Sequence, residues 1–194
     1  MARNKNSGNV RIIGGKWRRR RLPVAALQGL RPTTDRVRET VFNWLVPHCP
    51  GAQVLDLFAG SGALGFEAMS RGAQSLTLID RDRTVVRTLE EVVALLQAER
   101  VEVFAAEARQ WLRTQPARPF DIVFVDPPFG DADIAHLCTL LLERGWLAPS
   151  ALLYVEQPAE RITEWPPLLE VVKEQTAGQV RFGLYTAARE IPNE

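Results

Sequence analysis

The sequence is poor in the residues that most often bind metal ions or form disulfides. Its 194 residues include only two cysteines, Cys49 and Cys138, and two histidines, His48 and His136. The cysteines lack the paired spacing of a disulfide framework or a zinc site. His136 and Cys138 are two positions apart on a predicted helix, so their side chains point to different faces. We therefore predict no metal site and a reducing location, the cytoplasm.

The sequence also lacks a long hydrophobic run. No apolar stretch approaches the roughly 20 residues that cross a bilayer, and residues 1–9 are polar where a secretory signal would need an apolar segment. These absences predict no role in a membrane.

A hydrophobic content of 46% in 194 residues is enough for one sizeable core, and any separate segment must then be small.

Acidic residues are absent from the N-terminal part of the chain, where the first one is Asp35. Nine basic residues precede it, and because the whole chain has a formal net charge of +1, the remainder has a net charge of −8. This division predicts a basic arm over residues 1–32 and an acidic body over residues 33–194. Such an arm suits a polyanion, and a solvated tail is the alternative. The basic residues are Arg3, Lys5, Arg11, Lys16, Arg18, Arg19, Arg20, Arg21 and Arg31.

The basic arm contains a turn signal of its own. Gly14-Gly15 lies between Val10-Arg11-Ile12-Ile13 and Lys16-Trp17-Arg18, which predicts a short hairpin with a two-residue turn. We interpret Trp17 as able to stack on RNA, because basic residues surround it. The predicted RNA-binding residues are Lys16, Trp17, Arg18, Arg19, Arg20 and Arg21.

Short apolar runs alternate with helical patterns from Gln53 onward. This alternation predicts an α/β fold of right-handed βαβ units, with a mostly parallel seven-stranded sheet covered on both faces. A short link near Ala177-Gly178 predicts an antiparallel pair of strands at the sheet edge. A helix capped by Thr33 or Thr34 precedes the sheet and ends near Val46. Strands are predicted at residues 54–58, 75–79, 101–105, 122–125, 151–155, 169–172 and 180–185, and further helices at 63–71, 84–97, 108–113 and 134–144.

The first predicted strand leads into a glycine-rich turn between Asp56 and Gly65. Gly60 and Gly62 let the backbone pass close to a ligand, and Asp80, which ends the second strand, can accept hydrogen bonds from a ribose diol. The pattern fits either a dinucleotide or S-adenosylmethionine. Asp56 favours S-adenosylmethionine, because a carboxylate beside the turn would repel pyrophosphate but attract cationic amino and sulfonium groups. The alternative role of Asp56 is only to cap the turn.

The fourth predicted strand runs directly into Asp126-Pro127-Pro128-Phe129. Consecutive prolines fix the backbone and offer carbonyl groups without competing N–H donors. The exocyclic amine of a base is a poor nucleophile until acceptors such as the Asp126 carboxylate and the Pro127 carbonyl hold its hydrogens. Phe129 offers a face on which the base can stack. The turn predicts methyl transfer to the exocyclic amine of a flipped or unpaired base, and a strand end followed by a core phenylalanine is the alternative.

Five segments together resemble the bacterial 16S rRNA guanine-N2 methyltransferases of the RsmD type, and the resemblance covers nearly the whole chain. The segments are residues 11–15, 30–40, 56–65, 123–129 and 177–180. The resemblance implies a Rossmann-like class I methyltransferase fold, S-adenosylmethionine as donor and one guanine of the small ribosomal subunit as acceptor. It also favours an assembled or partly assembled particle as the substrate. A monomer is expected because no apolar stripe is left over.

The resemblance implies roles for individual residues by motif. Asp80 would hold the ribose, and Asp126, Pro127 and Phe129 would hold the base. Glu107 departs from the family, in which Asn commonly precedes Ala; when ionised it can accept from adenine N6 but cannot donate to a ring nitrogen. The implied cofactor-binding residues are Arg36, Glu39, Asp56, Phe58, Gly60, Gly62, Asp80, Glu107 and Ala108.

Two other functions are compatible with the same residues. Adenine-N6 methylation of DNA or RNA is one, because Asp-Pro-Pro-aromatic turns serve both kinds of amine. A non-enzymatic RNA-binding module is the other, and it is motivated by the run of arginines from Arg18 to Arg21. The pattern of the turn alone does not separate the two amines.

Overall fold

The structure is a computed structural model that describes residues 8–25, 34–128 and 133–188. Phe129, the candidate Thr33 cap and the predicted boundary between the arm and the body lie outside the described residues. Thr34 caps the first helix, since its side chain accepts a hydrogen bond from the Val37 N–H. The described ranges contain the rest of the predicted cofactor and base site.

Seven strands form the main sheet. They are β3 (Gln53–Asp56), β4 (Ser75–Asp80), β5 (Val101–Ala105), β6 (Phe120–Val125), β7 (Leu147–Pro158), β8 (Leu169–Ala177) and β9 (Val180–Ala187). Their order is β5-β4-β3-β6-β7-β9-β8. Strands β3 to β7 pair in parallel, whereas β9 is antiparallel to both β7 and β8. This topology confirms the predicted Rossmann-like class I methyltransferase fold with an antiparallel edge.

Helices cover both faces of this sheet. They are α1 (Asp35–Leu45), α2 (Ala63–Ser70), α3 (Arg83–Leu96), α4 (Ala108–Thr114) and α5 (Ile134–Glu143), with a short 3-10 helix at Val46–His48. Apolar residues of α1, α2 and α3 pack on one face, which we call the first core layer. Those of α4 and α5 pack on the other face, the second core layer. No helix within the described ranges is long and apolar enough to cross a membrane.

The N-terminal arm forms a hairpin, but its turn does not lie where the sequence predicted. β1 (Asn9–Arg11) pairs antiparallel with β2 (Arg21–Pro23), so residues 12–20 form a long connecting loop. Gly14-Gly15 is therefore not a two-residue turn, and this prediction was wrong. Gly15 has φ +73°, and a Cβ added there would lie 1.8 Å from the backbone oxygen of Ser70. The glycines instead allow the loop to approach α2 closely.

Hydrogen bonds fix this loop to the C-terminal half of α2. The Glu67 carboxylate accepts the N–H of Ile13 at 2.7 Å. The Ser70 hydroxyl accepts the N–H of Trp17 at 2.9 Å, and the Ser70 carbonyl accepts that of Lys16 at 2.7 Å. The described part of the arm is therefore packed against the body of the protein.

Candidate active site at the carboxyl edge of the sheet

Four neighbouring parallel strands bring carboxylates to one edge of the sheet. Asp80 ends β4, Asp56 ends β3, Asp126 directly follows β6, and Glu156 lies near the end of β7. Because these strands are adjacent in the order β4-β3-β6-β7, the carboxylates form a row in the order Asp80, Asp56, Asp126 and Glu156. Ligands of open α/β sheets bind at this edge.

The four carboxylates also lie on the same face. Side chains alternate between the two faces along a strand, and Asp126 precedes a proline, which favours an extended backbone there. The residue two positions before each carboxylate is buried in the first core layer; these residues are Leu78, Val54, Phe124 and Tyr154. The row of carboxylates therefore continues the face covered by α1, α2 and α3.

The glycine-rich turn between β3 and α2 is held by backbone hydrogen bonds to both neighbouring strands. The N–H of Leu57 donates to the carbonyl of Phe124 at 3.1 Å, and that of Ala59 to the carbonyl of Ile79 at 2.9 Å. Gly62 precedes α2 with φ +71°, a left-handed conformation that favours glycine. The turn is thereby fixed between β4 and β6.

Asp56 is a buried carboxylate beneath this turn. Its side chain is 1% exposed, and its Oδ1 accepts the N–H of Phe58 at 3.4 Å. Burial raises the pKa of Asp56 to about 7, against the lowering effect of backbone hydrogen bonds from Phe58 and Gly65. Among the described residues, no salt bridge compensates its charge. A buried acid in this setting fits a ligand that brings its own positive charge.

Asp80 lies on the other side of the turn and is partly exposed. Its two oxygens accept the N–H groups of Gly60 and Asp82, each at 2.9 Å. Burial also raises the pKa of Asp80 above its ordinary value. Each carboxylate oxygen has a second lone pair, so the side chain can still accept hydrogen bonds from a ribose diol. Asp56 and Asp80 together fit a nucleoside with a cationic substituent, which is the chemistry of S-adenosylmethionine.

The Asp-Pro-Pro turn begins where β6 ends. Asp126 is partly exposed, Pro127 is buried and Pro128 is exposed. Burial raises the pKa of the Tyr154 hydroxyl, and the charges of Glu156 and then Asp126 raise it further, so the Asp126 carboxylate lies near Tyr154 of β7. Phe129 lies outside the described residues, so its predicted stacking role stays a prediction.

The remaining predicted cofactor residues differ in their surroundings. Glu107 is the N-cap of α4, where its carboxylate accepts the N–H of Gln110 at 2.8 Å, and Ala108 is buried. Phe58 is half-buried beside the glycine turn. Arg36 and Glu39 are both exposed on α1. Their implied role in binding the cofactor stays a prediction.

Two residues of this edge were not singled out from the sequence. Tyr154 and Glu156 are both buried on β7, and the Tyr154 hydroxyl donates to Glu156 Oε2 at 2.9 Å. The strand was predicted to stop at Val155, which left Glu156 outside it. The alternation of side chains along the strand could have indicated Glu156, because it comes two residues after Tyr154 and therefore lies on the same face.

The basic arm presents its charges to solvent. Lys16, Arg18, Arg19, Arg20 and Arg21 are exposed. Trp17 is not, since it is 8% exposed and belongs to the first core layer. The Lys16 ammonium lies 4.2 Å from the centre of its ring. The interpretation of Trp17 as a stacking platform for RNA was therefore wrong, because its side chain is buried in the first core layer and Lys16 lies over its ring.

Comparison with known proteins identifies the family. The family described as Conserved hypothetical protein 95 matches residues 10–186. The chain is 49% identical over 183 residues to Ribosomal RNA small subunit methyltransferase D of Escherichia coli strain K12, which covers 94% of this chain and 92% of that protein. The protein of the same name from Haemophilus influenzae is 44% identical over 181 residues, covering 92% of this chain and 94% of the relative.

A solved structure agrees with the sequence relatives. The structure of yhhF from Escherichia coli matches with a TM-score of 0.86 at 49% identity and covers 93% of this chain and 99% of that chain. The resemblance seen in the five sequence segments is thus confirmed over almost the whole length. The chain belongs to the Conserved hypothetical protein 95 family, together with the ribosomal RNA small subunit methyltransferases D.

Proposed function

We propose that the protein transfers a methyl group from S-adenosylmethionine to the exocyclic N2 amine of one guanine in 16S rRNA. The observation that supports this most strongly is the pairing of β3 with β6, which sets the glycine-rich turn directly beside Asp126 and Pro127. A base held at Asp126 is therefore next to a ligand held at the turn. The names of the family relatives, which are small-subunit rRNA methyltransferases, agree with this reaction.

The cofactor would bind along the β4 and β3 end of the carboxylate row. Asp80 would accept hydrogen bonds from the ribose hydroxyls, and Asp56 would face the cationic methionine part of the molecule. Gly60 and Gly62 would let the backbone lie against it. When bound, S-adenosylmethionine supplies an electrophilic methyl group. Ala108 and Glu107 at the start of α4 would lie near the adenine, where Glu107 can accept from the adenine amine.

The Asp-Pro-Pro turn would act on the amine of the base. This amine is a weak nucleophile because its lone pair is delocalised into the ring. The Asp126 carboxylate and the Pro127 carbonyl can accept its two N–H hydrogens and direct the lone pair away from the ring. Asp126 can also take the proton that the nitrogen loses. Positioning of this kind can remove about 7–11 kcal/mol from a bimolecular barrier, so a strong base is not needed.

The exposed basic residues of the arm would bind the RNA backbone. Neutralising phosphates releases counterions, which gives sequence-independent affinity. We propose that the substrate is the RNA within an assembled or partly assembled small subunit, and that the protein acts as a monomer in the cytoplasm. The residues involved would be Lys16, Arg18, Arg19, Arg20 and Arg21.

Nucleoside analysis tests the reaction. Small-subunit particles and naked 16S rRNA from cells that lack the endogenous enzyme would be incubated with S-adenosylmethionine and the protein, and their nucleosides separated by mass spectrometry. N2-methylguanosine is expected with wild type and not with Asp126→Ala. Its absence in both substrates would reject the proposal, and N6-methyladenosine in its place would favour the adenine reaction.

A further inference from the structure

Glu156 is a buried carboxylate beside the proposed base site to which the chemistry above assigns no role. It is 7% exposed. Val125 of β6 pairs with Val155 of β7, so the next residues along the two strands, Asp126 and Glu156, lie opposite each other. Neighbouring strands are about 4.8 Å apart. The two carboxylates can therefore contact neighbouring atoms of one base.

Tyr154 fixes the orientation of Glu156. Its hydroxyl donates to Glu156 Oε2 at 2.9 Å, and both residues are buried. Burial raises the pKa of Tyr154 well above its ordinary value, and the charge of Glu156 raises it further. The hydroxyl therefore stays protonated and stays a donor. An ionised carboxylate has about four acceptor positions, so Glu156 can keep this bond and accept another.

We propose that Glu156 accepts a hydrogen bond from N1–H of the target guanine and so selects guanine over other bases. This inference rests on the proposed function. N1–H and the N2 amine are adjacent donors on the Watson–Crick edge of guanine, the edge by which flipped bases are read. With the methyl donor on the β3 side and the amine at Asp126, N1–H points toward β7 and Glu156.

The same contact discriminates against adenine. Adenine has a lone pair at N1 and no hydrogen there, so an ionised carboxylate at Glu156 would face it unfavourably. A site built to hold an N–H group rejects analogues that lack it, because its buried polar group is left unpaired. The row of carboxylates therefore favours guanine N2 over adenine N6, which the Asp-Pro-Pro turn by itself does not.

Glu156→Gln should change the preference of this site from guanine to 2-aminopurine. In the orientation in which the Tyr154 hydroxyl goes on donating, as it does to Glu156 Oε2, it bonds the oxygen of the new amide, and the amide NH₂ is the group that faces the base. A donor then opposes guanine N1–H, which is also a donor. 2-Aminopurine keeps the N2 amine but has an acceptor at N1, so it becomes the complementary base.

The test uses small-subunit RNA assembled by ligation, with either guanosine or 2-aminopurine riboside at the position that the nucleoside assay identifies. Wild type is expected to methylate guanosine about 10- to 100-fold faster than 2-aminopurine. Glu156→Gln should lose about 10- to 100-fold on guanosine and match or exceed wild type on 2-aminopurine. The double variant with Tyr154→Phe should regain part of the guanosine rate, because the amide is then free to turn.

Glu174→Gln is the matched control. Its carboxylate also accepts a tyrosine hydroxyl, that of Tyr185 at 2.8 Å, but it is exposed on the edge strand β8. It should leave both rates unchanged.

Two outcomes would overturn the role of Glu156: equal wild-type rates on the two RNAs, or equal losses by Glu156→Gln on both RNAs. The ratio of the wild-type rates on guanosine and 2-aminopurine tests the role of Glu156 even if the variant does not fold. Failure of wild type to methylate guanosine in any substrate would instead reject the proposed function.

Discussion

Arg38 and Glu67 face each other inside the protein, with both side chains fully buried and Nη1 3.9 Å from Oε2. Arg38 also donates to the carbonyl of Arg11 at 2.9 Å and to the carboxylate of Asp35 at 2.6 Å. Glu67 accepts the N–H of Ile13. This pair therefore joins the basic arm, α1 and α2 in one network of charges and hydrogen bonds.

Replacing Glu67 should destabilise the whole protein. Glu67→Gln removes the buried negative charge that faces Arg38 and that also pairs with Arg71 at 2.8 Å, while Arg38 keeps its contact with Asp35. Breaking a buried pair by removing one partner costs about 3–5 kcal/mol. The free energy of unfolding, measured by urea denaturation, should fall by that amount. Glu91→Gln, at an exposed position on α3, should change it by no more than about 0.5 kcal/mol. Equal small effects of the two variants would contradict a structural role for the pair.

The hairpin of the arm could be predicted from sequence, but its docking could not. Strand propensity and Gly14-Gly15 indicate a chain reversal, and these are local signals. The contacts that place the loop come from Glu67 and Ser70 on α2, far along the chain. The burial of Trp17 could not be predicted either. Its basic sequence neighbours suggest an RNA contact, but they do not reveal which distant residues pack around its ring.

Gly15→Ala and Gly178→Ala together distinguish the cost of a left-handed backbone conformation from the cost of a close contact. Both have positive φ, but a Cβ at Gly15 would meet the Ser70 carbonyl, whereas nothing lies within 4 Å of one at Gly178. Gly178→Ala should therefore cost about 1–3 kcal/mol from its left-handed backbone alone. Gly15→Ala should cost about 1–3 kcal/mol more, because the loop must move away from α2. Urea unfolding of the two variants measures the difference, and equal losses would show that the contact with α2 contributes nothing.

The carboxyl edge was largely predictable, because a parallel sheet imposes strong rules. Asp56, Asp80 and Asp126 each follow a buried apolar run, and strand ends in βαβ units meet at one edge. The role of Glu156 could not be predicted in this way, because its position depends on how far β7 extends and on the register of β7 with β6. Register between strands distant in sequence is set by packing across the whole sheet, which a local pattern does not contain.

The exposed arginines of the arm should control the salt dependence of RNA binding. Each phosphate contact contributes about −0.7 to −0.9 to the slope of log affinity against log salt. Replacing Arg18, Arg19, Arg20 and Arg21 with alanine should weaken binding and reduce the slope by up to about 3, with affinity for S-adenosylmethionine unchanged. Replacing the exposed Arg83 and Arg87 of α3 is the control, and it should leave the slope near its wild-type value. A wild-type slope in the arm variant would argue against phosphate binding by this segment.

Asp56 should make cofactor binding depend on pH. Burial raises the pKa of Asp56 to about 7, so the carboxylate is ionised above that pH and protonated below it. S-adenosylmethionine should bind more weakly as the pH falls below 7, by up to about tenfold per pH unit if only the ionised form binds. Calorimetry between pH 6 and 8.5 measures this, and Asp56→Asn should flatten the profile. Adenosine, which has no cationic side chain, should bind with the same affinity across the range.

A rise in pH should strengthen cofactor binding through Asp56, but it should lower the stability of the cofactor-free protein. The folded-state pKa of Asp56, about 7, is above the ordinary value of 3.8, so between these values the folded state binds more protons than the unfolded state. The contribution of Asp56 to the free energy of unfolding should therefore decrease as the pH rises from about 4 to 7. Asp56→Asn removes the buried charge and should be more stable than wild type at pH 8, while binding S-adenosylmethionine more weakly. If wild type and Asp56→Asn show the same pH dependence of urea unfolding, burial does not perturb Asp56, and the pH effect on cofactor binding must have another source.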